Sequence, residues 1–225
     1  MGLLSVVIPV YNEAATVRPL VQKVAAIREV AEMIVVDDGS GDGTRTVLEG
    51  LKKEYGFRLL AHERNRGKGA AIRTGLRHAT APYTVVQDAD LEYDPADYPR
   101  LLAPLLAGKA DVVYGSRYRG CPEAEAWHTL VNRCLTFLSN LVNRRHLTDM
   151  ETCYKVFPTK LLRSLPLRCD RFGFEPEVTA LLSRRGARIA EVPVSYRRRG
   201  YREGKKIGPW DAVKTVAAIL LYGLS

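Results

Sequence analysis

The 225-residue chain is poor in histidine and cysteine, has no long apolar run, and carries too few acids to balance its bases. Each shortage excludes something. The four cysteines, Cys121, Cys134, Cys153 and Cys169, form no CxxC pair and have no histidine at zinc-ligand spacing. That argues against a zinc site, and a chain long enough for one sizeable core needs no disulfide framework, so a reducing cytoplasm is expected. The four histidines, His62, His78, His128 and His146, form no cluster and are assigned no chemistry. The most apolar stretch, VAAILLYGLS at 216–225, covers about half of the roughly 20 residues that cross a bilayer. Before the first apolar run there is no basic leader, and Pro9 and Asn12 come too early for a signal peptide. Position 6 also lacks the Ser or Thr of a myristoylation motif. A hydrophobic fraction of 46% with 26% charged residues excludes disordered and fibrous classes.

What the chain does have is positive charge. The net charge of +9 implies an anionic partner: a phosphate-bearing substrate, a membrane surface or nucleic acid. Short β-branched runs alternate with amphipathic stretches. Strands are predicted at LLSVVIPV, EMIVVDDGS, RLLAHER, YTVVQDAD and DVVYGSR, and helices at about 16–29, 43–55, 68–79 and 95–107. This βαβα order predicts an α/β fold, a mostly parallel, doubly wound central sheet with helices on both faces. Ligands of such sheets bind at the carboxyl ends of the strands, where YNE, DDGS, DAD and GSR fall.

Among these strand ends, VVQDADLEYD at 85–94 places Asp88 and Asp90 one residue apart. In an extended segment residues i and i+2 point the same way, so both carboxylates address one point. Uncompensated, they repel, and a hard cation such as Mg2+ or Mn2+ relieves them while binding substrate phosphates. Glu92, one further step of two, is a candidate third oxygen. The alternative for an isolated DxD is a solvated acidic loop. In VVDDGSGDGT, Asp38 is placed to accept from a ribose hydroxyl or a base N–H, with a simple capped turn as the alternative. The turn NRGKGAA at 65–71 lacks P-loop spacing but opens a helix beside Lys68, a candidate phosphate contact.

VVIPVYNE, IVVDDGS, NRGKGAA, QDADLEYDP and VVYGSRYRG, in this order, resemble the family 2 glycosyltransferases of the GT-A (Rossmann-like) fold. TDMETCYKVF, FGFEPEV and EVPVSYRRRGYREGKK extend the resemblance to the branch containing dolichol-phosphate mannose synthase and bacterial polyprenyl-phosphate hexosyltransferases, over about residues 3–210. The resemblance implies a nucleotide-sugar donor, GDP-mannose or UDP-glucose. It would be held by Pro9, Tyr11, Glu13, Val36 and Asp38, with the metal and diphosphate at Asp88, Ala89 and Asp90. Archaeal members carry Gln at the position of Glu92. Arg117, Arg199 and Lys205 match basic positions that contact the donor diphosphate or a lipid phosphate, and Asp149 falls where relatives place an acid beside the acceptor. Relatives usually continue Thr-Gly-Phe-Arg where this chain has Thr-Cys-Tyr-Lys, and a helix cap is the alternative for Asp149.

The implied reaction is inverting transfer of a hexose to a polyprenyl phosphate. Because that phosphate is already ionised, Asp149 has only to orient the acceptor or the sugar; a hydroxyl acceptor would need it as a base. Two other readings stay open: a family 2 transferase acting on a saccharide hydroxyl, and a non-catalytic nucleotide- or nucleic-acid-binding module. Intact Asp88 and Asp90 count against the module, and nucleic acid is not the expected partner. The stretch RRRGYREGKK at 197–206, with six cations and one acid, reads as a flap over phosphates at an anionic membrane surface. The expected division is a catalytic domain over 1–206, with a nucleotide half to about 118 and an acceptor half from 119, then an apolar tail over 207–225. The tail could rest on a membrane, on the core or on a second copy. The helical stripe Trp127, Leu130, Val131, Cys134, Phe137, Leu138 and Leu141 is read as core packing, with contact of part of the helix with a polyprenyl chain as the alternative. The expected location is the inner face of the cell membrane, as a peripheral protein.

Overall fold

The computed structural model describes residues 2–119, 127–171, 173–199 and 209–224, with the backbone alone described at 127, 128 and 209–211. The first half follows the predicted alternation: β1 (Leu4–Val10), α1 (Val17–Ala25), β2 (Val30–Asp37), α2 (Thr44–Tyr55), β3 (Arg58–Ala61), α3 (Lys68–Leu76), β4 (Tyr83–Val86), α4 (Tyr98–Leu106) and β5 (Val112–Ser116). Then come α5 (Trp127–Asn143), β6 (Lys155–Pro158), α6 (Thr159–Arg163), α7 (Phe174–Arg184), β7 (Ile189–Pro193) and α8 (Pro209–Leu224). The strands β1 and β4 read as continuous apolar runs because both faces are covered: Leu4, Val6, Val7, Ile8, Val85 and Val86 are all buried.

The seven strands lie in the order β3-β2-β1-β4-β6-β5-β7. All neighbours are parallel except β6, which runs antiparallel between β4 and β5. The sheet is therefore mostly parallel, as the sequence predicts. From β1 the chain winds outward through β2 and β3, then returns to place β4 on the other side of β1. That reversal opens a crevice at the carboxyl ends of β1 and β4, the position where open α/β sheets bind ligands. Tyr11 leaves one strand there and Asp88 follows the other.

The helical stripe on α5 departs from expectation. Leu130, Cys134, Phe137 and Leu141 face outward, with Phe137 at 70% exposure, while Thr129, Leu135, Thr136 and Ser139 are turned inward. The inward face is narrow and mostly of small polar residues because α5 packs against helices, with α8 against both α5 and α7. α8 repeats the pattern: Thr215 and Ile219 are buried, whereas Val213, Leu220, Leu221 and Leu224 are exposed. The core-packing reading of the α5 stripe is thus corrected: among its described side chains only Val131 and Leu138 rest against the core, and the Trp127 side chain lies outside the described residues.

Candidate functional site

At the nucleotide side, the loops after β1 and β2 are stitched together. The Asn12 N–H donates to Ser40 Oγ at 2.9 Å, the Gly41 N–H donates to Asn12 Oδ1 at 2.9 Å, and the Glu13 N–H donates to Thr44 Oγ1 at 2.9 Å. Pro9 lies in β1, Tyr11 is 39% exposed just beyond it, and the Val36 side chain is buried in β2. Asp38 is only 2% exposed. Its Oδ1 meets His62 Nδ1 at 2.6 Å and accepts from the Arg66 N–H at 2.9 Å; its Oδ2 accepts from the Gly67 N–H at 2.7 Å. His62 passes the link on to Thr74 Oγ1 at 3.0 Å, so the histidine left without a role fixes Asp38. The neighbouring Asp37, which sequence reasoning passed over, has a buried Oδ2 with no hydrogen-bond partner among the described residues. Its only signal was its place beside Asp38 in the strand-end pair.

The turn at 65–68 is not an open anion site. The N–H groups of Gly69 and Ala70 donate to the carbonyls of Arg171 and Asp170, and Arg73 reaches the Cys169 carbonyl and the Asp170 carboxylate. The helix end expected to receive a phosphate is therefore closed by backbone oxygens of the 169–171 loop, because that loop needs donors too. Lys68 turns the other way: its Nζ sits 2.9 Å from Asp88 Oδ1 and 2.9 Å from Glu175 Oε1. Burial opposes the ammonium charge, yet Asp88 and Glu175 hold its pKa well above the ordinary lysine value. Gly67 makes the close approach possible. At φ +102° and ψ 158° its backbone is a conformation reserved for glycine, and a Cβ there would collide with the Asp170 carbonyl. Gly67→Ala is expected to cost at least about 1–3 kcal/mol from backbone strain, measurable by urea denaturation; unchanged stability would contradict this packing.

The acidic turn itself differs from the extended segment assumed above. β4 ends at Val86, residues 89–90 form a turn, and Leu91 has φ +62°. Asp88 and Asp90 remain neighbours in charge, but the alternation is broken before Glu92. The Glu92 Oε2 accepts from the Tyr196 hydroxyl at 2.7 Å and its Oε1 accepts from the Arg199 N–H at 2.9 Å. Among the described residues no three acidic, histidine or cysteine side chains converge as a ready metal cluster. In the bare chain Glu92 thus ties the segment after β7 to the turn, with both of its oxygens engaged. Two carboxylates still suit a hard divalent cation, which commonly takes one or two protein carboxylates and completes its shell with water and phosphate. The strain they carry fits that use: burial first, then the charges of Asp88 and Glu92, push the Asp90 carboxyl up to about 7.

Cations close over this turn. The Arg199 guanidinium lies 3.1 Å from Glu13 Oε1 and 3.6 Å from Asp90 Oδ2. Behind the turn, Gln87 accepts from both the Tyr98 and Tyr154 hydroxyls at 2.6 Å and donates to the Asp88 carbonyl at 2.9 Å. A lone glutamine gives no signal in sequence, and this one was missed. Lys205 and residues 200–206 of the basic stretch lie outside the described residues.

On the acceptor side, Asp149 caps no helix. It is fully buried and receives Arg117 Nε at 2.7 Å, Arg117 Nη2 at 2.7 Å and the Arg117 N–H at 3.0 Å. The Arg117 guanidinium also stacks over the Tyr196 ring at 5.2 Å. Glu191 of β7 holds the loop by accepting from the N–H groups of Thr148 and Asp149 at 2.9 and 3.1 Å. The structure thus brings Glu13, Asp90 and Arg199 together in one contact group, Lys68 and Asp88 in another with Glu175, and Arg117 with Asp149 in a third.

Several known proteins share this plan. The crystal structure of glucosyl-3-phosphoglycerate synthase from Mycobacterium tuberculosis with Mn2+, UDP-glucose and phosphoglyceric acid superposes with a TM-score of 0.75. It is 24% identical and covers 99% of this chain and 80% of its own. The same enzyme with Mg2+ and UDP gives 0.72 at 26% identity, covering 98% and 79%. This likeness establishes the GT-A fold. Glycosyltransferase AglJ of Haloferax volcanii is 29% identical over 84% of the chain, and dodecaprenyl-phosphate galacturonate synthase of Rhizobium johnstonii is 28% identical over 87%. The chain spans 61% and 59% of the lengths of these two relatives. The family described as "Glycosyl transferase family 2" matches residues 5–165, well over half of the chain, and the protein belongs to that family.

Proposed function

We propose that the protein transfers a hexose from a nucleotide sugar, GDP-mannose or UDP-glucose, to a polyprenyl phosphate, with inversion and with Mn2+ or Mg2+ at Asp88 and Asp90. The bound ion would supply a Lewis acid for the charge that develops on the departing nucleoside diphosphate. Lys68 keeps Asp88 oriented, and Arg199 stands over the same turn as a second positive group. Pro9, Tyr11, Glu13, Val36 and the Asp37–Asp38 strand end would line the nucleotide side, with Ala89 in the metal turn and Lys205 among the phosphate-contacting cations.

The observation that carries the acceptor is the state of Asp149. Both its oxygens are taken by Arg117 in a site closed to water, a poor arrangement for removing a proton. A nucleophile that arrives ionised, as a phosphate monoester does, needs no such base. The outward apolar faces of α5 and α8 support a lipid-bearing acceptor, since residues 127–148 contain no Asp or Glu and Arg133 and Arg144 are exposed beside them. Among the described residues no helix is long and apolar enough to cross a membrane, and peripheral attachment at the inner membrane face is the reading adopted. The dodecaprenyl-phosphate relative supports the same class of acceptor.

The test is incubation with a panel of nucleotide sugars, Mn2+ and a short polyprenyl phosphate, followed by mass spectrometry of the organic phase. A hexosyl-phospholipid is the expected product. Transfer only to saccharide hydroxyls or to phosphoglyceric acid would overturn the acceptor assignment. Binding of donor with no turnover on any acceptor would overturn the enzyme reading.

A further inference from the structure

Glu151, which none of the roles above uses, stands in the chain between Asp149, the partner of Arg117, and Cys153, whose Sγ lies 3.6 Å from the Val86 carbonyl at the end of β4. It lies two residues beyond Asp149 in the loop entering β6, and the backbone on both sides of it is pinned. The fully buried Lys155 turns its Nζ back to donate to the Met150 carbonyl at 2.9 Å and to the Thr152 carbonyl, and its ammonium rests 4.7 Å from the centre of the Tyr114 ring. The charges that act on Glu151 are those of Glu175, Lys155, Arg117 and Asp149. Glu175 belongs to the group that holds Asp88 through Lys68, and Arg117 and Asp149 belong to the acceptor side. Glu151 therefore lies on the short stretch of chain that joins the acceptor-side pair to the strand leading into the metal turn.

Its Oε1 is shut off from solvent and has no hydrogen-bond partner among the described residues. Buried polar atoms in native folds are nearly always satisfied, and an exception points to something absent from the bare chain. Besides a buried water, three kinds of ligand could satisfy it. A phosphate is repelled by Glu151 and Glu175 together. A metal ion is opposed by the charges of Lys155 and Arg117. A neutral hydroxyl is opposed by neither. Burial and the charge of Glu175 push the Glu151 carboxyl up to about 7, so near neutral pH it is available both as donor and as acceptor, which is what a hydroxyl pairs with.

We propose that Glu151 is a specificity-determining residue that hydrogen-bonds a hydroxyl of the sugar ring carried by the nucleotide donor. This rests on the nucleotide-sugar reading above and adds to it the group that senses the sugar. A site built to pair a hydroxyl rejects an analogue lacking it far better than an apolar pocket rejects an extra methylene, because the protein atom is then left unpaired.

The test couples substitution to substrate. Turnover of wild type and Glu151→Met is measured with the preferred nucleotide sugar and with its singly deoxygenated analogues, next to calorimetric binding of the bare nucleoside diphosphate with Mn2+. For one deoxy position the wild type is expected to lose about tenfold or more in kcat/KM, the scale of one hydrogen bond to a charged group. Glu151→Met, which keeps the length of the side chain and removes its polar atoms, is expected to lose a similar factor on the parent sugar, to show little further loss on that one analogue, and to bind the bare diphosphate within about twofold of wild type, since the contact it removes is to the sugar. Equal, additive losses on every analogue would overturn the inference, as would impaired binding of the bare diphosphate. If Glu151→Met fails to fold, Glu151→Asp is read against the same coupling. Failure of wild type to bind any nucleotide sugar would overturn the donor reading and this inference with it, and is recognisable because it needs no substitution.

Discussion

Asp90→Asn is expected to reduce transfer by about a hundred- to a thousandfold, the range for losing one group that stabilises the developing charge, and at the same time to make the metal-free protein more stable. The two effects have one cause. In the folded chain burial, then Asp88, then Glu92 raise the Asp90 carboxyl from an ordinary 3.8 to about 7, against weaker help from the Glu92 N–H and Arg199. A carboxyl that binds its proton more tightly when folded favours the native state while protonated. It loses that advantage as the pH rises through the window from about 4 to 7. Above that window the ionised Asp90 costs on the order of 2–4 kcal/mol, and an uncharged Asn does not. Thermal melts of metal-free protein between pH 4 and 8 should show wild type weakening relative to Asp90→Asn as the pH rises. Mn2+ should bind wild type less well below about pH 7, where protons compete for the same oxygens. Near-normal turnover of the variant, or a variant less stable than wild type at pH 8, would contradict the assignment.

Arg117→Ala carries the largest expected stability loss. It strips the guanidinium from a carboxylate that is fully buried, leaving Asp149 with the backbone N–H of residue 117 as its remaining donor among the described residues. Breaking one side of a buried pair costs about 3–5 kcal/mol, which in a protein of this size lowers the melting temperature by roughly 2–4 °C per kcal/mol. Arg117→Lys should recover little, because an ammonium cannot supply the two parallel donors that Nε and Nη2 provide. Adding Asp149→Ala to Arg117→Ala should restore part of the stability and none of the transfer, since the uncompensated charge is gone but the acceptor-side cation is still missing. Urea denaturation of the single and double variants checks this. Equal stability of Arg117→Ala and wild type would show that the pair is not closed to solvent as described.

The sequence carried the first five strands and the four helices among them because both-face burial writes continuous apolar runs, and surface helices write a 3.6 period. It did not carry β6 and β7. β6 is four residues long and begins with Lys155, a fully buried ammonium that reads as surface, and β7, IAEVP, is a partly exposed edge strand without alternation. The antiparallel insertion of β6 depends on pairing to β4 and β5, which no local pattern records. α5 misled in the opposite sense, since its apolar stripe is the outward one.

Within the site, Asp88 and Asp90 were legible as acids ending a core strand. The pairing of Glu92 with Tyr196 and the Arg199 N–H was not legible, because the left-handed Leu91 turns the chain after Asp90, and one positive φ in a non-glycine residue leaves no trace in composition. Lys68 was read as a phosphate contact at an open helix end; its partners Asp88 and Glu175 are 20 and 107 residues away, and the loop that closes that helix end comes from 169–171, so none of this was legible locally. His62, Gln87 and Glu151 are single polar residues whose meaning comes only from what the fold brings against them.

The most direct measurement is anomalous diffraction from crystals soaked with Mn2+ and UDP or GDP. The expected map shows one manganese peak at about 2.0–2.3 Å from carboxylate oxygens of Asp88 or Asp90, touching the diphosphate, with Glu92 still bonded to Tyr196. Nucleotide bound in the crevice with manganese elsewhere, or with none, would contradict the account.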